Sequence, residues 1–126
     1  MNSVNPSSKK LLNAFVQAIK GIGFAVKSER NLRFHFIAVG SVVLLGFITN
    51  ISGVEWVLIL TLFGLVISME MINTAIEKLC DVVQPEKDDR IRMIKDISAG
   101  AVLWTSLLSL IAGLLIFIPK FFNNFI

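Results

Sequence analysis

Three apolar runs, at residues 34–51, 54–83 and 97–118, leave this chain few ways to fold. Each approaches or exceeds the roughly 20 residues with which a helix crosses about 30 Å of hydrocarbon. A backbone inside hydrocarbon must pair its own N–H and C=O groups, and a helix does so within one segment. The composition agrees, since 55% hydrophobic and 17% charged residues are too apolar for an ordinary soluble domain. The expected fold is therefore all-α and membrane-embedded. It is a single unit of three transmembrane helices over residues 1–126, with little chain left for a separate domain.

The first run is about 18 residues and about 27 Å of helix, so it spans with little to spare. The second has no proline and keeps its helical pattern for about 30 residues, or about 45 Å, so one end should stand clear of the hydrocarbon. Asn50, Ser52 and Gly53 form the turn between them, and Trp56 falls where an interfacial aromatic is favoured. Pro85 stops the second helix and the charged stretch 86–90 turns. A third helix over 90–118 then carries the last span until Pro119, Asn123 and Asn124 close it.

The net charge of +3 matters less than its placement. Lys9, Lys10, Lys20, Lys27, Arg30 and Arg33 precede the first span. Lys78, Lys87, Arg90, Arg92 and Lys95 lie between the second and third, and Lys120 stands alone. By the positive-inside rule the N-terminus and the 78–96 region face the cytoplasm, while the Asn50 to Glu55 turn and the C-terminus face outward. Basic residues divided in this way form no unbroken patch for nucleic acid. A single cysteine, Cys80, and a single histidine, His35, exclude an internal disulfide and a zinc site.

Residues 1–8 read as a flexible tail without the apolar core of a signal peptide, with Ser7 or Ser8 placed to cap the helix that follows. Over 9–30, Leu11, Leu12, Phe15, Ile19, Ile22 and Val26 recur at steps of three and four, with Lys9, Asn13, Gln17, Lys20 and Lys27 largely opposite. That is an amphipathic helix. It either lies in the headgroup plane, drawn to anionic lipid, or packs against its own bundle.

The second span carries an unusual stripe: Glu70, Asn73, Glu77 and Asp81, spaced so that all four share one helix face. Glu70 lies about 21 Å along the helix from Trp56, near the edge of the hydrocarbon, and the later members step toward water. A charge at membrane depth costs on the order of 3 kcal/mol and like charges on successive turns repel, so something cationic should offset the stripe. A divalent metal ion is the natural candidate, because Mg²⁺ is held by one or two carboxylates together with phosphate oxygens, which implies a phosphate-bearing ligand. Glu29, Lys95 and Asp96 come to the same membrane face from other segments. The plainer alternative is a solvated helix end with ordinary ion pairs. No GxxxxGKS/T phosphate loop is present, and Gly21 and Gly23 form only a lone GxG.

At MEMINTAIEKLCD (Met69 to Asp81), KDISAGAVL (Lys95 to Leu103) and ERNLR (Glu29 to Arg33), the sequence resembles the small integral-membrane bacterial lipid kinases, the diacylglycerol kinase and undecaprenol kinase family. The resemblance runs from about Lys9 to Pro119. It implies a homotrimer in the bacterial cytoplasmic membrane that transfers the γ-phosphoryl of MgATP to a lipid alcohol, undecaprenol or diacylglycerol. Carried over by position, it implies Glu70 as catalytic base, Glu29 and Glu77 as metal-binding carboxylates that also meet the nucleotide, and Lys95 and Asp96 handling ATP. Asn73 and Asp81 would support the site, and Lys10, Gln17 and Lys20 would approach nucleotide and lipid from the amphipathic helix. The segments RFHF (Arg33 to Phe36) and GLLIFIPK (Gly113 to Lys120) look more like the undecaprenol-type members.

The depth of Glu70 agrees with that implication, because a long-chain alcohol keeps its hydroxyl at headgroup level while ATP stays in water. Phosphoryl transfer asks for alignment and charge neutralisation more than covalent chemistry. A small proton-coupled multidrug transporter using Glu70 is the rival from another class. It would want its carboxylate near mid-bilayer and usually a fourth span. A noncatalytic scaffold leaves the stripe unexplained. His35 reads as an interfacial or capping residue outside the site, and Cys80 as a small packing residue. Ala75, Ser98, Ala99, Gly100, Ala101, Ser106, Ser109 and Gly113 would permit close helix contact within a trimer.

Overall fold

The computed structural model describes residues 5–125, so the first four residues of the expected tail lie outside it. Four helices follow one another: α1 (Pro6–Ser28), α2 (Arg30–Thr49), α3 (Gly53–Val83) and α4 (Asp89–Phe125). The last three are each long and apolar enough to cross a membrane. Within a single chain most of their apolar surface is left uncovered, which suits a multi-pass protein whose surroundings are hydrocarbon rather than water.

Several helix ends differ from the sequence reading: α1 stops at Ser28 and α2 already starts at Arg30, and two further ends move for reasons the structure shows. α1 begins at Pro6 rather than after Ser8. The proline occupies the first helical position, where a missing N–H costs nothing, and the Asn5 side chain accepts from the Ser7 backbone N–H at 3.1 Å. Asn5 is therefore the cap, and Ser7 and Ser8 sit in the first turn. At the other end, Pro119 does not close the last helix, which continues to Phe125. Proline withholds the hydrogen bond that would reach the carbonyl of Leu115, but tertiary ties hold the turns beyond it. Lys120 pairs with Glu55 at 3.3 Å, and Asn124 donates to the Thr49 carbonyl at 3.3 Å.

The turn between α2 and α3 is tightly specified. Asn50 adopts a left-handed conformation (φ 53°), and the amides of Asn50 and Ile51 return to the last turn of α2. Ser52 and Glu55 then form a reciprocal capping box at the start of α3. Gly46 is buried beneath this turn against the indole of Trp56, which stacks on Phe47 at 4.9 Å between ring centres.

α4 packs chiefly along α3. The buried positions of the pair are Ile59, Val66, Glu70, Thr74 and Cys80 on α3 and Ser98, Val102 and Thr105 on α4, at the three- and four-residue steps of a helix seam or multiples of them. Small and hydroxylated residues let the two backbones approach. The hydroxyls of Thr74 and Thr105 return their protons to carbonyls of their own helices, so neither enters the seam unpaired. Of the other small residues singled out from the sequence, Ala75, Ala99, Gly100 and Ala101 remain on the open surface.

Candidate active site

The acidic stripe on α3 is graded. Glu70 is 5% exposed, Asn73 and Glu77 are half-buried, and Asp81 is exposed. From Glu70 to Asp81 it climbs about 16 Å along the helix. Its buried end meets α2: His35 Nε2 lies 3.1 Å from Glu70 Oε1. An ionised carboxylate only accepts, so the imidazole donates this hydrogen bond. The sequence reading left His35 outside the site, and the fold brings it in.

One turn further along, the Asn73 amide donates to Glu77 at a long 3.4 Å, while its carbonyl oxygen is buried with no partner. At the exposed end, Lys95 of α4 donates to Asp81 at 2.6 Å. That hydrogen bond, together with the attraction of Asp81, holds the Lys95 ammonium above the ordinary lysine range. The stripe therefore gains cationic or N–H contacts from two neighbouring helices, as the repulsion along it demanded.

Glu29 occupies the single extended residue between α1 and α2. Arg33 closes the junction by donating to the carbonyls of Val26 and Lys27 at 3.0 and 2.9 Å, and Leu32 is completely buried beneath it. The basic half of ERNLR thus has a structural use, while the half-buried Glu29 carboxylate makes no ion pair among the described residues. The end of α1 reaches α3 at the level of Glu77, for the Lys78 ammonium sits 5.2 Å from the centre of the Phe24 ring. Lys10 and Gln17 are exposed on the first half of α1. They lie about 28 and 18 Å along that helix from Glu29, so one chain does not bring them to the stripe.

Two concavities flank these residues. A groove of about 420 Å³ runs along the spans between α2, α3 and α4; His35 lines it with Val42, Leu62, Val66 and Phe117, and its wall is almost wholly apolar. A polar cleft of about 550 Å³ lies at the α3 to α4 turn, lined by Asp81, Arg92, Lys95 and Asp96 and by the connecting residues 84–89. Within that turn Asp88 is gripped by Arg90. The guanidinium and the backbone N–H of Arg90 hold its carboxyl down to about 2. The stripe thus runs from Glu70, whose partner His35 lines the apolar groove, to Asp81 in the wall of the charged cleft.

The donor set also fits a hard cation. Glu29 and Glu77 offer carboxylates, and the buried Asn73 carbonyl oxygen awaits a partner. No three histidine, cysteine or acidic side chains among the described residues converge into a closed cage.

Comparison with known proteins gives consistent results. A family model described as prokaryotic diacylglycerol kinase matches residues 16–117. The chain is 39% identical over 111 residues to an undecaprenol kinase of Bacillus subtilis (strain 168), covering 88% of this chain and 90% of the relative. It is 27% identical over 110 residues to a diacylglycerol kinase of Synechocystis sp. (strain PCC 6803), covering 86% of this chain and 63% of the relative. Nothing in these matches supports a proton-coupled transporter.

Proposed function

The chain belongs to the prokaryotic diacylglycerol kinase family, and on that premise we propose that it transfers the γ-phosphoryl group of ATP to the hydroxyl of a membrane lipid alcohol. The observation that carries this reading is the position of Glu70, buried at the deep end of the polar stripe and bonded to His35, which lines the apolar groove. A greasy alcohol can lie with its chain in the groove and its hydroxyl at Glu70, while the triphosphate approaches along the stripe from the cleft at Asp81 and Lys95. Of the two relatives, the one matched over nearly its whole length is an undecaprenol kinase. A polyprenol is accordingly the first acceptor to try, with diacylglycerol as the second.

In this reading Glu70 takes the proton of the attacking hydroxyl. Glu29 and Glu77 hold Mg²⁺ with Asn73 beside them, and the ion when bound neutralises charge on the transferring phosphate. Lys95, oriented by Asp81, and Asp96 contact the nucleotide. Lys10 and Gln17 contribute from the amphipathic helix of a neighbouring protomer in a homotrimer, since their own helix carries them away from the stripe. The basic face of α1 and the turn with its cleft lie on the cytoplasmic side of a bacterial inner membrane, where ATP is found.

Purified protein in mixed micelles with γ-labelled ATP should label undecaprenol or diacylglycerol. Glu70→Gln preserves shape and removes the base, so turnover should fall about 10²- to 10⁴-fold with ATP binding retained. Label in neither alcohol, or a Glu70→Gln variant with wild-type turnover, would refute the reading.

A further inference from the structure

We propose that His35 is a positioning residue for Glu70, fixing the carboxylate so that one oxygen is committed and the other is free for the acceptor hydroxyl. The inference rests on the kinase reading of Glu70 and deepens it. Among the described residues the Glu70 carboxylate has one hydrogen-bond partner, the His35 ring, and the two side chains are 6% and 22% exposed. The terminal torsion of a glutamate is broad, so a buried carboxylate without a fixed donor would sample many orientations. An N–H held at Oε1 removes that freedom.

The donor comes from a different helix, 35 residues away in sequence. The contact therefore also ties α2 to α3 at the depth where chemistry is proposed. The same imidazole forms part of the wall of the apolar groove. An alcohol lying in that groove meets the His35 and Glu70 pair at its polar end. As the hydroxyl oxygen bonds to the γ-phosphorus and the bond from phosphorus to the departing ADP oxygen breaks, the hydroxyl proton passes to Glu70 Oε2. His35 keeps its own Nε2 proton throughout.

The test uses the full chain in mixed micelles with whichever alcohol the wild type phosphorylates. His35→Leu removes the donor and keeps bulk. His35→Gln places an amide N–H the same number of bonds from the backbone as Nε2. We expect kcat to fall about 10- to 100-fold in His35→Leu, with KM for ATP within about two-fold of wild type, and His35→Gln to recover most of the loss. A residue that served only packing in an apolar groove would tolerate leucine at least as well as glutamine. Should His35→Leu fail to fold, His35→Asn, whose amide stops one bond short, should be slow where glutamine is fast. Wild-type kcat in His35→Leu or His35→Asn, or a His35→Gln as slow as they are, overturns the proposal while Glu70→Gln still marks the base. Turnover that survives Glu70→Gln overturns both.

Discussion

Replacing Gly46 by alanine should damage the protein far more than the same change at Gly21 or Gly40. A methyl group at position 46 would stand 2.7 and 2.9 Å from two carbons of the Trp56 indole and 3.1 Å from the Ile51 side chain. Comfortable carbon contacts lie at about 3.5–4.0 Å, so the overlap is close to 1 Å. The indole can relieve it only by swinging away from Gly46, which disturbs its stack on Phe47. Overpacking of this kind costs about 1–3 kcal/mol, and the better helix propensity of alanine returns up to about 1 kcal/mol, so Gly46→Ala should fall about 1–3 kcal/mol below a glycine-to-alanine change that meets no contact. At Gly21 and Gly40 nothing lies within 4 Å of the added carbon, so there the propensity gain should stand alone. Thermal unfolding of the three variants in one detergent, followed by circular dichroism, measures the difference. The turn under Trp56 also sets where α3 starts, so turnover should drop in Gly46→Ala at temperatures where it remains folded. A Gly46→Ala protein as stable as Gly40→Ala would refute the reasoning about this turn.

Glu77→Gln should raise the Mg²⁺ concentration needed for half-maximal turnover. Full activity at low Mg²⁺ in that variant would remove Glu77 from the metal set. Asp81→Asn should leave stability almost unchanged, because the pair with Lys95 is 67% and 35% exposed, yet raise KM for ATP; unfolding and kinetics on one preparation separate the two effects. The raised Lys95 pKa means that its pair contributes fully below the ordinary lysine value and fades only as pH climbs through the higher folded value, so this contribution should be flat across neutral pH. The depressed carboxyl of Asp88 works in the opposite sense. Its grip on Arg90 is complete above about 4 and lost as pH falls through about 2, and an NMR titration of the Asp88 carboxyl carbon should show a midpoint near 2 rather than 3.8.

The spans and the stripe were legible because each is periodic and local. An apolar run declares its length, and Glu70, Asn73, Glu77 and Asp81 announce a shared face through spacing alone. The graded burial of that face follows from how the neighbouring helices pack along it, α2 covering Glu70 and leaving Asp81 open. What escaped was non-local. His35 belongs to no pattern on its own helix, and its partner is 35 residues away. Pro119 looked like a stop because a proline usually is one. The ties from Lys120 to Glu55 and from Asn124 to Thr49, which keep the helix going, join the end of α4 to the turn between α2 and α3, far away in sequence. Arg33 seemed to belong with Glu29 in an acidic and basic junction. Its guanidinium is spent on the carbonyls of α1, which only the fold reveals.

The unbroken run of α3 from its Ser52 cap through Val83 has one further consequence. Glu70 stands 18 residues beyond that cap, so its height is set by about 27 Å of stiff helix measured from the opposite leaflet. In the role proposed for it, Glu70 would act as a gauge of bilayer thickness. In longer-chain lipids it would be drawn beneath the level at which alcohol headgroups float, and in shorter-chain lipids lifted above it. Phosphorylation should therefore be fastest in phospholipids of one intermediate acyl length and slower on either side.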